Sequence, residues 1–303
     1  MASYEKYLLP QVLQQVAGLD LRAKFLVEGF LAGLHESPYR GFSVEFSDHR
    51  KYARGDELRQ IDWKVFGRTD RYYVKRFQAE TNMECHLVLD RSASMALEPR
   101  TVRDRFMTKF EYATAVAAAL GYLMISQQDA VGVVTFDDRV REYVKPRARP
   151  SHLGDVLTVL TNTHPGGTTD VSGSIHEAAE LFKKRGLVII LSDLLDEPEK
   201  IEKALSHLKY RGHDVIVFHV FDAAEANFLY EGAMRFVEPE TGAELVVDAD
   251  AARSGYLAAI SAFVDDLRRR SRGLGMDYVQ LDTSVSFDAA LTSFLINRKK
   301  NFL

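Results

Sequence analysis

Apolar residues fall along this chain in two lengths. Short runs, such as His86-Leu87-Val88-Leu89 and Leu187-Val188-Ile189-Ile190-Leu191, are bounded by polar turn residues. They read as strands buried on both faces of a parallel sheet. Further strands are expected over Val131 to Phe136, Val140 to Val144, Val215 to Val220 and Tyr278 to Leu281. Longer stretches with helical spacing separate them. One helix is expected from the capping box Thr108-Lys109-Phe110-Glu111 through Ala113 to about Ser126, and another from Ser151 to about Thr161. A third runs from Ser172 to Lys184 and is stopped by Gly186. A fourth opens at Pro198 and ends at Gly212. The last long helix is capped by Asp248 to Asp250 and reaches about Arg272. Glu238-Pro239-Glu240-Thr241-Gly242 has the composition of a hairpin turn between Met234 to Val237 and Leu245 to Val247.

Strands alternating with helices through short connections predict an α/β fold, a doubly wound and mostly parallel sheet occupying residues 81–303. Residues 1–36 carry helical spacing, with Leu8, Val12, Leu13 and Val16 on one face, and Phe287 to Ile296 reads as a final helix. Residues 37–80 differ in kind. They are rich in turns, charge and aromatics, with strand-like alternation at Phe42, Val44 and Phe46, and read as a small β-rich segment packed on the main domain.

Where the first buried run ends, chemistry begins. Asp90-Arg91-Ser92-Ala93-Ser94 places one carboxylate and two hydroxyls at the carboxyl end of a strand, where open α/β sheets bind their ligands. Hard oxygen donors suit Mg²⁺, Mn²⁺ or Ca²⁺ rather than a soft metal. The same residues also fit an ordinary turn in which Asp and Ser bond their own backbone. Two later stretches add to the metal reading: the glycine-rich turn Gly166-Gly167-Thr168-Thr169-Asp170 before a helix, and Ser192-Asp193 at the end of a second buried strand.

In that order the three stretches spell D-x-S-x-S, T-D and S-D, which resembles the metal-ion-dependent adhesion site of von Willebrand factor A domains. The resemblance implies that Ser92, Ser94 and Thr169 touch a divalent ion directly and that Asp90 and Asp193 act through waters. Thr169 is preferred to Thr168 because the family's threonine directly precedes an Asn or Asp, here Asp170. A second resemblance covers most of the chain. G-F-S-V-E-F from Gly41, R-x-Y-x-x-G-D-x-x-R-x-I-D-W from Arg50, V-K-R-F from Val74 and D-x-S-x-S-M from Asp90 are similar to the bacterial family called domain of unknown function fifty-eight. That family implies a von Willebrand A-like domain behind an N-terminal β-rich segment, often encoded beside a MoxR-type AAA+ ATPase. The expected function is therefore a non-catalytic, metal-dependent protein-interaction module, an adaptor or assembly partner of such an ATPase. Its protein partner would present an acidic residue to the ion.

Composition changes this picture little. The chain has 303 residues, 46% hydrophobic and 27% charged, an ordinary globular balance. The start lacks the basic-then-apolar pattern of a signal peptide, and a lone cysteine, Cys85, reads as a small buried hydrophobe in a reducing compartment, so a cytoplasmic location is expected. Residues 40–76 hold ten Lys or Arg against six Asp or Glu, a local charge of +4 that leaves −8 for the remainder of the −4 chain. This segment offers a nucleic-acid-binding alternative through phosphate contacts and stacking. Interleaving of acids with bases favours internal pairing instead. Within it, Arg50, Tyr52, Gly55, Asp56, Arg59, Asp62 and Trp63 form either a docking surface or a folded anchor, with Trp63 between Ile61 and Val65 read as the packing residue.

An enzyme is the competing class. Asp90 beside Mg²⁺ could serve a hydrolase or phosphotransferase, but the aspartyl nucleophile pattern needs a second Asp two residues on, where Ser92 stands. No G-x-S-x-G elbow, G-x-x-x-x-G-K loop or H-E-x-x-H helix is present, and none of the nine histidines has ligand spacing with another.

Overall fold

The computed structural model describes residues 44–52, 61–79, 84–97, 107–126 and 128–285. The helices expected over residues 1–36 and 287–296 lie outside these. The described residues fall in two compact units, one within His35–Asn82 and one within Met83–Leu303.

The smaller unit is an antiparallel pair, β1 (Val44–Lys51) with β2 (Tyr73–Ala79), and a short helix α1 (Trp63–Thr69). Asp62 caps α1 by accepting from the amides of Lys64 and Val65. Ile61 bridges to Val74, and these two are its buried apolar residues, 5% and 3% exposed. Trp63 is not the packing anchor that its apolar neighbours suggested. It is 58% exposed and touches the rings of Phe66 and Tyr72 edge-on.

The larger unit is built on a six-stranded sheet. In chain order its elements are β3 (Glu84–Asp90), a 3₁₀ turn (Ala93–Ala96), α2 (Lys109–Ser126), β4 (Ala130–Phe136), β5 (Val140–Arg147), α3 (His152–Asn162) and α4 (Val171–Leu181). There follow β6 (Gly186–Ser192), α5 (Pro198–Tyr210), β7 (Asp214–Phe221), α6 (Ala223–Asn227), β8 (Ala233–Val237), β9 (Glu244–Asp248), α7 (Ala249–Gly273) and β10 (Asp277–Asp282). The sheet order is β10-β7-β6-β3-β4-β5, parallel except for β5, which runs back along β4. The mostly parallel α/β sheet expected from the sequence is therefore present. β8 and β9 form a separate hairpin, where turn composition placed one.

Alternate side chains of the central strands feed two cores. Leu87, Leu89, Val133, Ile189 and Phe218 pack on one face beneath α2 and α3, while Val88, Val134, Val188, Ile190 and Val217 pack on the other beneath α4 and α5. Helix α2 is buried around almost its whole circumference, as its continuous apolar sequence requires. Helix α4 ends at Leu181 rather than Lys184, and Gly186 does not stop it. Gly186 is instead the first residue of β6, opposite Glu84 of β3. The chain leaves β3 toward β4 on one side and leaves β6 toward β7 on the other. The carboxyl ends of β3 and β6 thus flank the crevice where strand order reverses, the usual ligand position in such sheets.

Candidate functional site

Four of the five residues singled out for metal binding converge at that crevice through hydrogen bonds on or beside them. Asp90, the last residue of β3, is fully buried; its Oδ1 accepts from the Ser92 amide at 2.8 Å and its Oδ2 from the Ser192 hydroxyl at 2.6 Å. Ser92 Oγ lies 2.9 Å from Ser94 Oγ, both side chains buried. Asp193 follows β6 directly and is 3% exposed. Its Oδ2 accepts from Lys109 Nζ at 2.8 Å, while its Oδ1 has no hydrogen-bond partner among the described residues. Leu194 adopts a left-handed backbone, φ 52°, and its amide donates to Ser192 Oγ at 2.9 Å. A buried leucine in that conformation marks local strain at the bend that turns the chain out of β6 after Asp193.

Thr169 reaches this group through its loop. The Gly166 amide donates to Arg91 O at 2.7 Å and the Ala93 amide to Gly167 O at 3.2 Å, tying the glycine turn to the loop after β3. The Thr169 hydroxyl itself is held by Glu240 Oε1 at 2.5 Å. Asp170 caps α4 by accepting from the Gly173 amide, and the Ser172 hydroxyl donates to Asp196 Oδ2 at 2.7 Å, joining the second loop to the third. With Ser192 joining the third to the first, the three loops close a ring.

Electrostatics single out the same place. Burial, then the charge of Asp193, push the Asp90 carboxyl up to about 7, against the opposing pull of its bonds from Ser192 and Ser92. Lys109, 1% exposed, pairs with Asp193 and with Glu225 Oε1, each at 2.8 Å. Burial alone would lower its pKa, but these two carboxylates outweigh that and hold it above the ordinary lysine range. Two carboxylates share the one ammonium, and Asp193 also repels the Asp90 carboxylate, so negative charge is in excess when all three are ionised. His219 is buried and neutral, its pKa lowered to about 3 by burial. Its Nε2–H donates to Asp193 O at 2.8 Å, which leaves Nδ1 to accept from the Tyr278 hydroxyl.

Among the described residues no group of three or more His, Cys, Asp or Glu is arranged as a metal cage. The donor set here is of another kind, two carboxylates with hydroxyls. It fits a small divalent cation on three counts. Adjacent ligands of an octahedral Mg²⁺ lie about 3 Å apart, the separation of the two serine hydroxyls. Asp193 Oδ1 is an orphaned buried acceptor. The net charge is negative where burial makes negative charge costly.

The docking residues proposed for the basic segment belong to the smaller unit. Gly55, Asp56 and Arg59 and the side chain of Arg50 lie outside the described residues. Tyr52 stacks obliquely near Tyr72, Asp62 is the α1 cap, and Trp63 is exposed. Sequence reasoning missed Lys109, Glu225 and Glu240, and named Ser192 only as the neighbour of Asp193. Lys109 carries a faint signal, since a lysine at a helix start opposes the helix dipole and needs acidic company. Glu225 closes the capping box Asp222-x-x-Glu225 on α6. Nothing local marks Glu240.

Residues 48–263 match the family described as Protein of unknown function DUF58. The chain belongs to the DUF58 family. The DUF58 match spans Asp90 to Asp193 together with Lys109, Glu225 and Glu240. An uncharacterized protein of Mycobacterium tuberculosis is 26% identical over 299 residues, covering 97% of this chain and 92% of that protein, and a counterpart in Mycobacterium bovis matches equally. Among solved structures, an aerotolerance-related membrane protein of Bacteroides fragilis aligns with a TM-score of 0.47 at 18% identity, over 71% of this chain and 99% of that one. BatB of Bacteroides thetaiotaomicron aligns with a TM-score of 0.45 at 19% identity, over 72% and 99%. Among the described residues of this DUF58 chain no helix is long and apolar enough to cross a membrane.

Proposed function

We propose that this protein is a non-catalytic, divalent-metal-dependent protein-interaction module. Its larger unit is read as von Willebrand A-like and its crevice as a metal-ion-dependent adhesion site. In this reading Ser92, Ser94 and Thr169 hold Mg²⁺, or Mn²⁺ or Ca²⁺, with Asp90 and Asp193 acting through water. The observation that carries it is the pair of buried serine hydroxyls 2.9 Å apart beside the Asp90 and Asp193 carboxylates. A bound ion would offer one coordination position to an acidic side chain, so that a partner's Asp or Glu is recognised by charge and geometry together. The chain's own residues supply the rest. Ser192 and the Ser92 amide orient Asp90, Lys109 orients Asp193 while leaving one of its oxygens free, and the buried strand ends keep water from competing.

The partner proposed from the family resemblance is a MoxR-type AAA+ ATPase, and the proposed location is the cytoplasm. Exposure of Trp63 and Tyr72, 58% and 49%, supports a second contact surface on the smaller unit. The test is a Mg²⁺ titration by calorimetry on the wild type and on Asp90→Ala/Ser92→Ala, followed by partner capture with and without chelator. Saturable binding lost in the variant, with capture abolished by chelator, is the expected result. Capture indifferent to chelator together with no metal binding would overturn the reading.

A further inference from the structure

The β8–β9 hairpin is shaped around two glutamates with different tasks. Glu238 serves the turn itself: its carboxylate accepts from the Glu240 and Thr241 amides at 3.1 and 2.8 Å and from the Thr241 hydroxyl. Gly242, φ 74°, closes the turn with its amide on Glu238 O at 2.8 Å. That geometry sends Glu240 outward. Its carboxylate grips Thr169 twice, accepting from the amide at 2.8 Å through Oε2 and from the hydroxyl at 2.5 Å through Oε1.

Two features make this more than a strap. Glu240 has no Lys, Arg or His within 4.0 Å among the described residues, and Arg91 of the first loop and Arg141 of β5 both face Asp137. A carboxylate is thus brought, without a cation of its own among the described residues, onto Thr169, whose loop is tied to the one carrying Asp90, a carboxylate that the charge of Asp193 already opposes. A cation held there would relieve that like-charge repulsion. The contact is also chemically compatible with a metal. Thr169 gives its proton to Glu240, and its hydroxyl oxygen keeps lone pairs for a cation.

We infer that Glu240 is the chain's own acidic ligand for the open coordination position, and that an acidic partner gains the site by displacing the β8–β9 turn. The inference rests on the metal-site reading above and adds to it a built-in competitor. Partner affinity is then set by the difference between two carboxylates, one tethered and one free. Partner sequences with a lone exposed acid bind weakly, and those that also grip the hairpin or its neighbours bind well.

The experiment uses the full chain with Mn²⁺ as the probe, followed by water-proton relaxation, in the wild type, Glu240→Gln, Glu240→Ala and Asp90→Ala/Ser92→Ala. The second probe is the blocked tripeptide acetyl-Gly-Glu-Gly-amide. Expected results are saturable Mn²⁺ binding by the wild type, an affinity about tenfold weaker in both Glu240 variants, and higher relaxivity there because water replaces the carboxylate. The peptide should bind the Glu240 variants in a Mn²⁺-dependent manner and cancel the added relaxivity, with little effect on the wild type. Glu240→Gln preserves side-chain shape, so a folding defect in the alanine variant leaves the test intact. Unchanged affinity and relaxivity in Glu240→Gln, with binding abolished in Asp90→Ala/Ser92→Ala, would overturn Glu240 as a ligand and keep the metal site. Absence of saturable Mn²⁺ binding by the wild type would overturn both.

Discussion

Lys109 Nζ lies 2.8 Å from Asp193 Oδ2, with the two side chains 1% and 3% exposed. One ammonium at the start of α2 thus fixes a carboxylate at the end of β6, 84 residues away. Removing one partner of a buried pair strands the other charge without compensation, which costs about 3–5 kcal/mol. Lys109→Met should therefore lower unfolding free energy by that amount in denaturant titrations. Adding Asp193→Asn to Lys109→Met should recover part of the loss, and strict additivity would show that the pair is not coupled.

His86 sits in the sheet against Phe182, ring centroids 3.8 Å apart, with the nearest acidic oxygen, Glu84 Oε2, 3.9 Å away. Burial first, and then His213, lower its pKa from 6.5 to about 3. The unfolded chain binds the proton more readily, so this histidine leaves stability intact above pH 6.5 and reduces it progressively as pH falls toward 3. His86→Phe should lose about 2–3 kcal/mol less than the wild type between neutral pH and about pH 4.5. Parallel acid losses in urea unfolding of the two proteins would contradict the assignment.

Gly186 opens β6 where the strand passes Glu84 so closely that a Cβ there would stand 2.0 Å from Glu84 O. Neither backbone has a soft direction to yield, because Cys85 and Leu187 are locked in the next rung of the ladder. Gly186→Ala is expected to destabilise by at least about 1–3 kcal/mol and to lower soluble yield. A melting temperature equal to wild type would show that β3 and β6 separate there.

Trp63 presents the opposite case. With 58% of the residue in solvent, Trp63→Ala should change stability by no more than about 0.5–1 kcal/mol. Capture of a partner is where the loss should appear, since exposed aromatics are favoured anchors of interfaces. A variant that fails to fold would return this residue to a structural role.

The sheet was legible because β3, β6 and β7 are short, mostly apolar runs broken only by His86 and His219 between their polar ends, a pattern forced by burial on both faces. The hairpin followed from Pro239 and Gly242, and the α2 start from Thr108 and Glu111, which bond each other's backbone as the capping box requires. Gly186 was misread because a glycine after a helix also suits a helix end, and only the neighbouring strand reveals the close approach. Trp63 was misread because apolar neighbours say nothing about which face of a short helix is covered. Asp90, Ser92, Ser94, Thr169 and Asp193 stood out through spacing within three stretches. Lys109, Glu225 and Glu240 did not, because their partners lie at least 71 residues away and no periodicity encodes such a meeting.

The hydrogen bonds among the loops after β3, before α4 and after β6 have a mechanical consequence. Ala93 N and Gly166 N donate across the seam between the first two loops, and Ser172 N donates across the seam between the second and the third. No loop can swing out alone without breaking bonds held by its neighbours, so the rim behaves as a single hoop. Amide hydrogens at these three positions should exchange with solvent at one common rate, and a partner that pries open any one seam loosens all of them at once.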